Sequence, residues 1–117
     1  MPLATRPNRA RYAARLNAFR RAGGNGIRGM IEAAGRVGGL DAADLNYPDH
    51  FEGVETAEVA HMLGDAGMAL NGLAMRYYTD PGFAIGAFTN PDPRVRQAAI
   101  DVTRDGIDRL AQMGGSL

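Results

Sequence analysis

Three side chains that could transfer protons or bind hydroxyl groups are Asp49, His50 and Asp80, each placed shortly after an apolar segment. Imidazole has an ordinary pKa near neutral pH, so His50 could act as an acid or base or bind a hydroxyl group. A loop histidine whose ring is simply hydrogen-bonded is the alternative. Asp80 could contact a substrate, but its carboxylate would shuttle protons near neutral pH only if burial raised its pKa.

These side chains also have the atom types of a metal site, but their positions do not form a recognisable ligand spacing. No metal site is therefore predicted in this chain. A Ser–His–Asp triad is not expected either, because the chain offers two His residues and a single late Ser, Ser116. His61 is expected on the solvated face of a helix, beside Glu58 and Asp65.

Composition excludes several classes of protein. The chain has no Cys, which removes disulfides and thiol chemistry and favours a cytoplasmic location. It has no apolar run near the ~20 residues of a membrane span, so a membrane is not an expected partner. All 13 basic residues are Arg, and six lie within the first 21 positions, ahead of any acidic residue. We interpret residues 1–13 as an irregular Arg-rich arm, either solvated or paired internally. Nucleic acid is not the expected partner, because the arm lacks interleaved aromatic residues.

Alternating strand and helix patterns follow the arm. The predicted strands are residues 14–19, 42–47 and 68–75, and the predicted helices are residues 27–37, 56–66 and 93–113. Asn25 is expected to cap the first helix and Asp92 the third, where Pro93 occupies the first helical position. The mostly apolar third strand is expected to be covered on both faces. This order predicts an α/β fold with parallel strands joined by right-handed crossovers.

The sequence favours a barrel over an open nucleotide-binding sheet, because no Walker-type glycine-rich loop with a Lys is present. In a barrel, functional groups cluster at the carboxyl ends of the strands. The polar and aromatic residues at the predicted strand ends are Phe19, Arg20, Tyr47, Asp49, His50, Arg76, Tyr77, Tyr78 and Asp80.

The most specific pattern is the segment 79–96, Thr-Asp-Pro-Gly-Phe-Ala-Ile-Gly-Ala-Phe-Thr-Asn-Pro-Asp-Pro-Arg-Val-Arg. It resembles the loop after strand three of xylose isomerase and its TIM-barrel sugar isomerase and epimerase relatives. The resemblance implies that Phe88 forms an aromatic wall beside a sugar and that Phe83 lies near it, with packing of the loop as the alternative for both. His50 and Asp80 are the other candidates for substrate binding, and also the candidates for catalysis. Xylose isomerases carry a catalytic His where this chain has Asp80, so the expected parent acts on another sugar or is a related metal-dependent sugar-active enzyme.

The resemblance implies that residues 14–117 are the first three βα units of a (β/α)8 TIM barrel whose remaining strands lie outside this sequence. It implies metal-dependent aldose–ketose isomerisation or epimerisation of a small sugar. A divalent metal (Mn, Mg, Co or Zn) would be held by later strands of the full-length parent, and no cofactor by this segment. The chain alone is expected to be inactive, and to form homo-oligomers or to self-associate through an exposed strand edge.

Two alternatives stay open. The first is another enzyme of the same barrel family, such as a sugar lyase or deglycosidase subunit, or an endonuclease-like protein. The second is a non-catalytic assembly or binding module. Such a module would have to cover the free edge of the third strand and an apolar inner face of the sheet.

Overall fold

The computed structural model describes residues 9–21, 24 and 26–114 of the chain. Within them, strands and helices alternate as β1 (Ala13–Arg15), α1 (Gly26–Gly35), β2 (Ala42–Tyr47), α2 (Thr56–Asp65), β3 (Ala69–Met75) and α3 (Pro93–Gln112). The strands form one parallel sheet in the order β1-β2-β3, so the predicted α/β class and the parallel pairing are confirmed. The predicted cap Asn25 and most of the predicted arm lie outside the described residues.

The central strand β2 sends its alternate side chains to two faces of the sheet. Ala43, Leu45 and Tyr47 point toward the helices and belong to the buried core. Asp44 and Asn46 point the other way, onto a face that we call the helix-free face. The other members of the core are Leu16, Met30, Ile31, Ala34, Phe51, Val59, Met62, Leu63 and Met68.

The first strand is shorter than predicted. Only Ala13–Arg15 pairs with β2, and Leu16–Phe19 forms a 3-10 turn instead of continuing the strand. Leu16 and Phe19 are three residues apart, so a strand would point them to opposite faces, whereas a 3-10 turn brings them to one side. That side is the core, where Leu16 is fully buried and Phe19 packs against it. Burial of both side chains therefore overrides the strand pattern.

Two expectations about the third strand and the inner face of the sheet are wrong. No residue of β3 is fully buried, because β3 is an edge strand that the helices cover on one face only. The helix-free face is polar rather than apolar: Asn71 donates from Nδ2 to Asp44 Oδ1 at 2.7 Å, and Arg15 Nη2 lies 3.4 Å from Asn46 Oδ1. Polar side chains on this face reduce the cost of leaving it in contact with water.

One residue of the Arg-rich region pairs internally. Arg9 donates to the carboxylate of Asp41, and the backbone N–H of Tyr12 donates to Asp41 Oδ2 at 2.8 Å. The Arg9 hydrogen bond, followed by that from Tyr12, holds the pKa of Asp41 below its ordinary value. These contacts hold the segment that precedes β1 next to the residue that precedes β2. No helix in the described ranges has both the length and the apolar character needed to cross a membrane.

The third helix begins and packs as its sequence predicts. The Asp92 side chain accepts a hydrogen bond from the backbone N–H of Arg94 at 2.8 Å, and Pro93 occupies the first turn. Gly106 faces the sheet, where a Cβ atom would lie 2.8 Å from Met75 Sδ and 3.5 Å from Tyr47 Cδ1. The absence of a side chain at Gly106 therefore lets α3 approach the ends of β2 and β3 closely.

Substitution at this contact tests the packing. Gly106→Val should destabilise the fold by about 1 kcal/mol, because the branched side chain must displace the end of Met75 and approach the Tyr47 ring, which is held in the core. Gly64→Val is the matched control, since Gly64 lies on α2 with open space around its Cβ position. Valine has a slightly better helix propensity than glycine, so the control should unfold at the wild-type urea concentration or slightly above it. Equal urea midpoints for the two variants would contradict this packing.

Candidate functional site

The candidate residues lie in the loops that leave the carboxyl ends of β2 and β3. A 3-10 turn, Asp49–Phe51, follows β2 and carries His50. Two further 3-10 turns, Tyr77–Thr79 and Pro81–Phe83, follow β3 and lead toward Phe88 and α3. Because parallel strands end at the same edge of the sheet, these loops lie at one edge, where α/β proteins bind their ligands.

The His50 ring is held by the strand that precedes it. Its Nδ1 accepts a hydrogen bond from the backbone N–H of Asn46 at 2.8 Å, and the residue is only 7% exposed. Burial lowers the pKa of His50, while the charge of Asp49 acts in the opposite direction. The ring is therefore neutral at pH 7, with its proton on Nε2. His50 thus has the hydrogen-bonded ring of a structural loop histidine, and Nε2 is its one donor.

The Asp80 side chain caps a turn in its own loop. Its Oδ1 accepts a hydrogen bond from the backbone N–H of Gly82 at 2.8 Å, which caps the turn Pro81–Phe83. The side chain is exposed rather than buried. Proton transfer by Asp80 near neutral pH would require the carboxylate to be buried, and in this structure it is not.

An aromatic group connects the loop to α3. The Tyr77 ring makes edge-to-face contacts with Phe83 at 6.1 Å and with Phe88 at 5.2 Å between ring centroids. The Tyr77 hydroxyl lies 2.6 Å from Thr103 Oγ1, a side chain of α3. Tyr77 therefore positions both phenylalanines predicted from the sequence. Phe88 is still 50% exposed, so part of its ring is open to a ligand.

One cavity among the described residues adjoins two of the four candidate residues. A cavity of about 50 Å³ is lined by Asp80 and Phe83 together with Tyr47 and Tyr77, but His50 and Phe88 lie outside it. This volume holds a few water molecules. It is well below the ~300 Å³ of a typical small-molecule pocket, so this cavity alone cannot enclose a monosaccharide.

Two further residues stand out on the helix-free face and beside it: Asn46, which the sequence analysis did not name, and Arg76, which it named only among the residues at the strand ends. Asn46 is 2% exposed, and its Nδ2 has no hydrogen-bond partner in the described structure. The buried Nε of Arg76, directly after β3, also has none. The signal for Asn46 was the alternation of Asp44 and Asn46 with apolar residues along β2, which assigns both polar side chains to one face.

Metal ligands are not gathered anywhere in the described ranges, where no group of three or more His, Cys, Asp or Glu side chains lies close together. Asp49, His50 and Asp80 form no such group. Outside this edge, His61 is exposed on α2 with Nε2 3.2 Å from Asp65 Oδ2, as predicted for a solvated helix face.

No protein-family model matches the chain, and a search of the curated proteins finds no match to it either. The function of this chain must therefore be inferred from the residues at the carboxyl edge of the sheet and from the resemblance of the loop 79–96.

The buried His50 ring predicts a pH dependence of stability. Its folded pKa lies below the unfolded value of 6.5, so the unfolded chain binds a proton first as the pH falls. As far as His50 determines it, the free energy of unfolding should be nearly constant above about pH 7.5 and should decrease below that pH, by at most about 1.4 kcal/mol per pH unit. His50→Asn retains an acceptor near the Nδ1 position and should flatten this decrease between pH 6.5 and about pH 5.

The exposed His61 provides the control, because His61→Asn should leave the wild-type slope in place. Urea unfolding at a series of pH values measures the slope for all three proteins. A slope that persists in His50→Asn and disappears in His61→Asn would contradict the assignment.

Proposed function

We propose that this chain is the N-terminal three βα units of a metal-dependent sugar isomerase or epimerase built on a (β/α)8 barrel, and that it supplies part of the wall of a sugar pocket. The observation that carries the proposal is the placement of His50, Asp80, Phe83 and Phe88 in loops at one edge of a parallel sheet. Functional groups of such barrels lie at that edge.

The strand order supports the proposal. Three parallel strands that pair in chain order, each followed by a helix on the same face, are what the first part of a (β/α)8 barrel requires. The first half of a doubly wound sheet has the same arrangement. Residues 24–29, Gly-Asn-Gly-Ile-Arg-Gly, have the Gly-x-Gly-x-x-Gly spacing of the phosphate loop in such a sheet, but β1 ends at Arg15 and a 3-10 turn, Leu16–Phe19, lies between, so this segment does not directly follow a strand. The barrel is preferred for this reason and because segment 79–96 resembles the isomerase loop.

In the proposed pocket, Phe88 supplies an apolar surface for the C–H face of a sugar, and Tyr77 holds the Phe88 ring in place. The Asp80 carboxylate can accept a hydrogen bond from a sugar hydroxyl, and His50 Nε2 can donate one. The described residues do not fit a divalent metal, since they contain no cluster of ligands. The proposal accordingly assigns the metal to later strands of a parent protein and derives no catalytic step from this chain.

A sugar-binding experiment tests whether Phe88 forms part of a sugar pocket. Saturation-transfer NMR with small aldoses should show transfer from the protein to the sugar, and Phe88→Ala should abolish most of it. Tyr12→Ala is the matched control, because Tyr12 is an aromatic residue of similar exposure, 59% against 50%, near the opposite edge of the sheet. Equal losses in both variants, or no transfer in the wild type, would count against a sugar pocket. Aldose–ketose turnover by this chain with added Mn²⁺ would overturn the assignment of the metal site elsewhere.

A second candidate function, a non-catalytic assembly module, is favoured by the strand edges. β1 and β3 each pair with β2 on one side only, and no other strand of the described chain covers their outer edges. An open edge is a template for pairing with another chain. This function needs no sugar pocket, so it differs from the first in the outcome of the binding experiment.

Both candidates predict self-association of the isolated chain through these edges. Sedimentation velocity should show a weight-average mass that rises with protein concentration above the 12.4 kDa of one chain. A single species at that mass over a wide concentration range would contradict self-association, and with it the assembly function.

A further inference from the structure

The least explained feature of the molecule is a pair of unused hydrogen-bond donors near the carboxyl ends of β2 and β3. Asn46 Nδ2 and Arg76 Nε are buried and have no partner in the described structure. A buried donor without an acceptor is costly, so such groups in a folded protein call for an explanation. Both atoms belong to residues at strand ends, Asn46 one residue before the end of β2 and Arg76 one residue after the end of β3.

The backbone brings these residues and Arg15 together. Arg15 is the last residue of β1, and its Nη2 lies 3.4 Å from Asn46 Oδ1. The backbone N–H of Arg76 donates to the carbonyl oxygen of Tyr47 at 2.9 Å, which places Arg76 beside the end of β2. The backbone thus brings one residue from the end of each strand into a single region, and we call these three residues the strand-end cluster (Arg15, Asn46 and Arg76).

The cluster carries positive charge that no carboxylate of the described residues pairs, although the Arg76 guanidinium carbon lies 4.7 Å from the centroid of the Tyr78 ring. Neither Arg15 nor Arg76 has a carboxylate oxygen within 4 Å in the described structure, where the ion pairs join other residues. Positions outside the described ranges contain no Asp or Glu. Arg20 adds a third positive charge nearby, and all three guanidinium groups act on His50 to lower its pKa.

Two carboxylates lie in the same region and do not neutralise the cluster by contact. Asp44, nearer the middle of β2, accepts a hydrogen bond from Asn71 Nδ2 at 2.7 Å. Asp49 lies in the turn after β2, where its charge acts on His50. Neither oxygen pair reaches the unpartnered atoms of Asn46 or Arg76.

We propose that Arg15, Asn46 and Arg76 form a binding site for an oxyanion, either a phosphate monoester or a carboxylate. Guanidinium groups present paired N–H donors that match the oxygens of both anions, and they bind them with charge-assisted hydrogen bonds. The amide Nδ2 of Asn46 supplies a further donor. An oxyanion supplies both acceptor oxygens and negative charge, whereas a neutral sugar alone leaves the positive charge uncompensated.

This site stands apart from the sugar wall. Where the proposed function also holds, and only then, the two together specify the substrate class as a sugar phosphate or a sugar acid. The anion would lie over the ends of β1 to β3, and the carbon skeleton would extend toward the ring of Phe88.

The test is an NMR titration of the 117-residue chain with inorganic phosphate against chloride at constant ionic strength. Phosphate should bind in preference to chloride and should shift the side-chain amide signals of Asn46, which report directly on Nδ2. Glycerol phosphate, glycerate and glycerol then separate the sources of the anion. Tighter binding of glycerol phosphate assigns a phosphate monoester, tighter binding of glycerate assigns a carboxylate, and glycerol should not bind at the cluster.

Substitutions locate the site. Arg15→Gln and Arg76→Gln should each weaken phosphate binding about tenfold, the size of one charge-assisted hydrogen bond. Arg104→Gln removes the same charge from an exposed position on α3 and should leave binding unchanged. An equal loss in all three variants, or unshifted Asn46 signals at phosphate saturation, would overturn the site.

The phosphate titration tests the oxyanion site separately from the proposed sugar pocket. Phosphate binding at Asn46 without saturation transfer to aldoses would keep the oxyanion site and remove the proposed sugar pocket. Transfer to neutral aldoses without phosphate binding would do the reverse.

Discussion

The pleat of β2 is the constraint on which the rest of this structure depends. Ala43, Leu45 and Tyr47 meet the helices, so Asp44 and Asn46 must face the other way. A shift of one residue in its pairing would bury two polar side chains against the helices and expose the apolar set. This penalty fixes the register of the central strand, and through it the place of every side chain at the carboxyl edge.

The turn after β2 shows how the core and the site share one element. Phe51 packs into the core against Tyr47, with ring centroids 5.7 Å apart. The neighbouring His50 accepts a hydrogen bond at Nδ1 from the backbone N–H of Asn46. Tyr47 is also fastened from the other side, since its hydroxyl donates to Asp105 on α3. Arg109 of the same helix donates to Thr56 Oγ1 at 2.8 Å, at the start of α2. The strand end that carries the candidate residues is therefore held by both following helices.

The polarity of the helix-free face bears on both candidate functions, the part of a sugar-binding barrel and the assembly module. Barrel interiors are filled with bulky branched side chains, whereas this face presents Asp44, Asn46 and Asn71. A polar face can remain in contact with water in a module, or can line the ligand end of a larger sheet. The unused donors of Asn46 and Arg76 favour a ligand there, because contact with another apolar layer would leave them unsatisfied.

The amino-acid sequence by itself determined the element types, the parallel α/β class and the start of α3. These depend on local signals, namely hydrophobic period, the Asp92 cap and Pro93, which act within a few residues. Only the tertiary structure decided where β1 ends, that β3 is an edge with one covered face, and which side chains meet at the carboxyl edge. Leu16, Asn46 and Arg76 take their roles from partners far away in the chain. A local sequence pattern does not show whether a buried donor has an acceptor, because the acceptor can be far away in the chain. Some of the site residues could therefore be predicted from the sequence, but which of them lie together is decided by the fold.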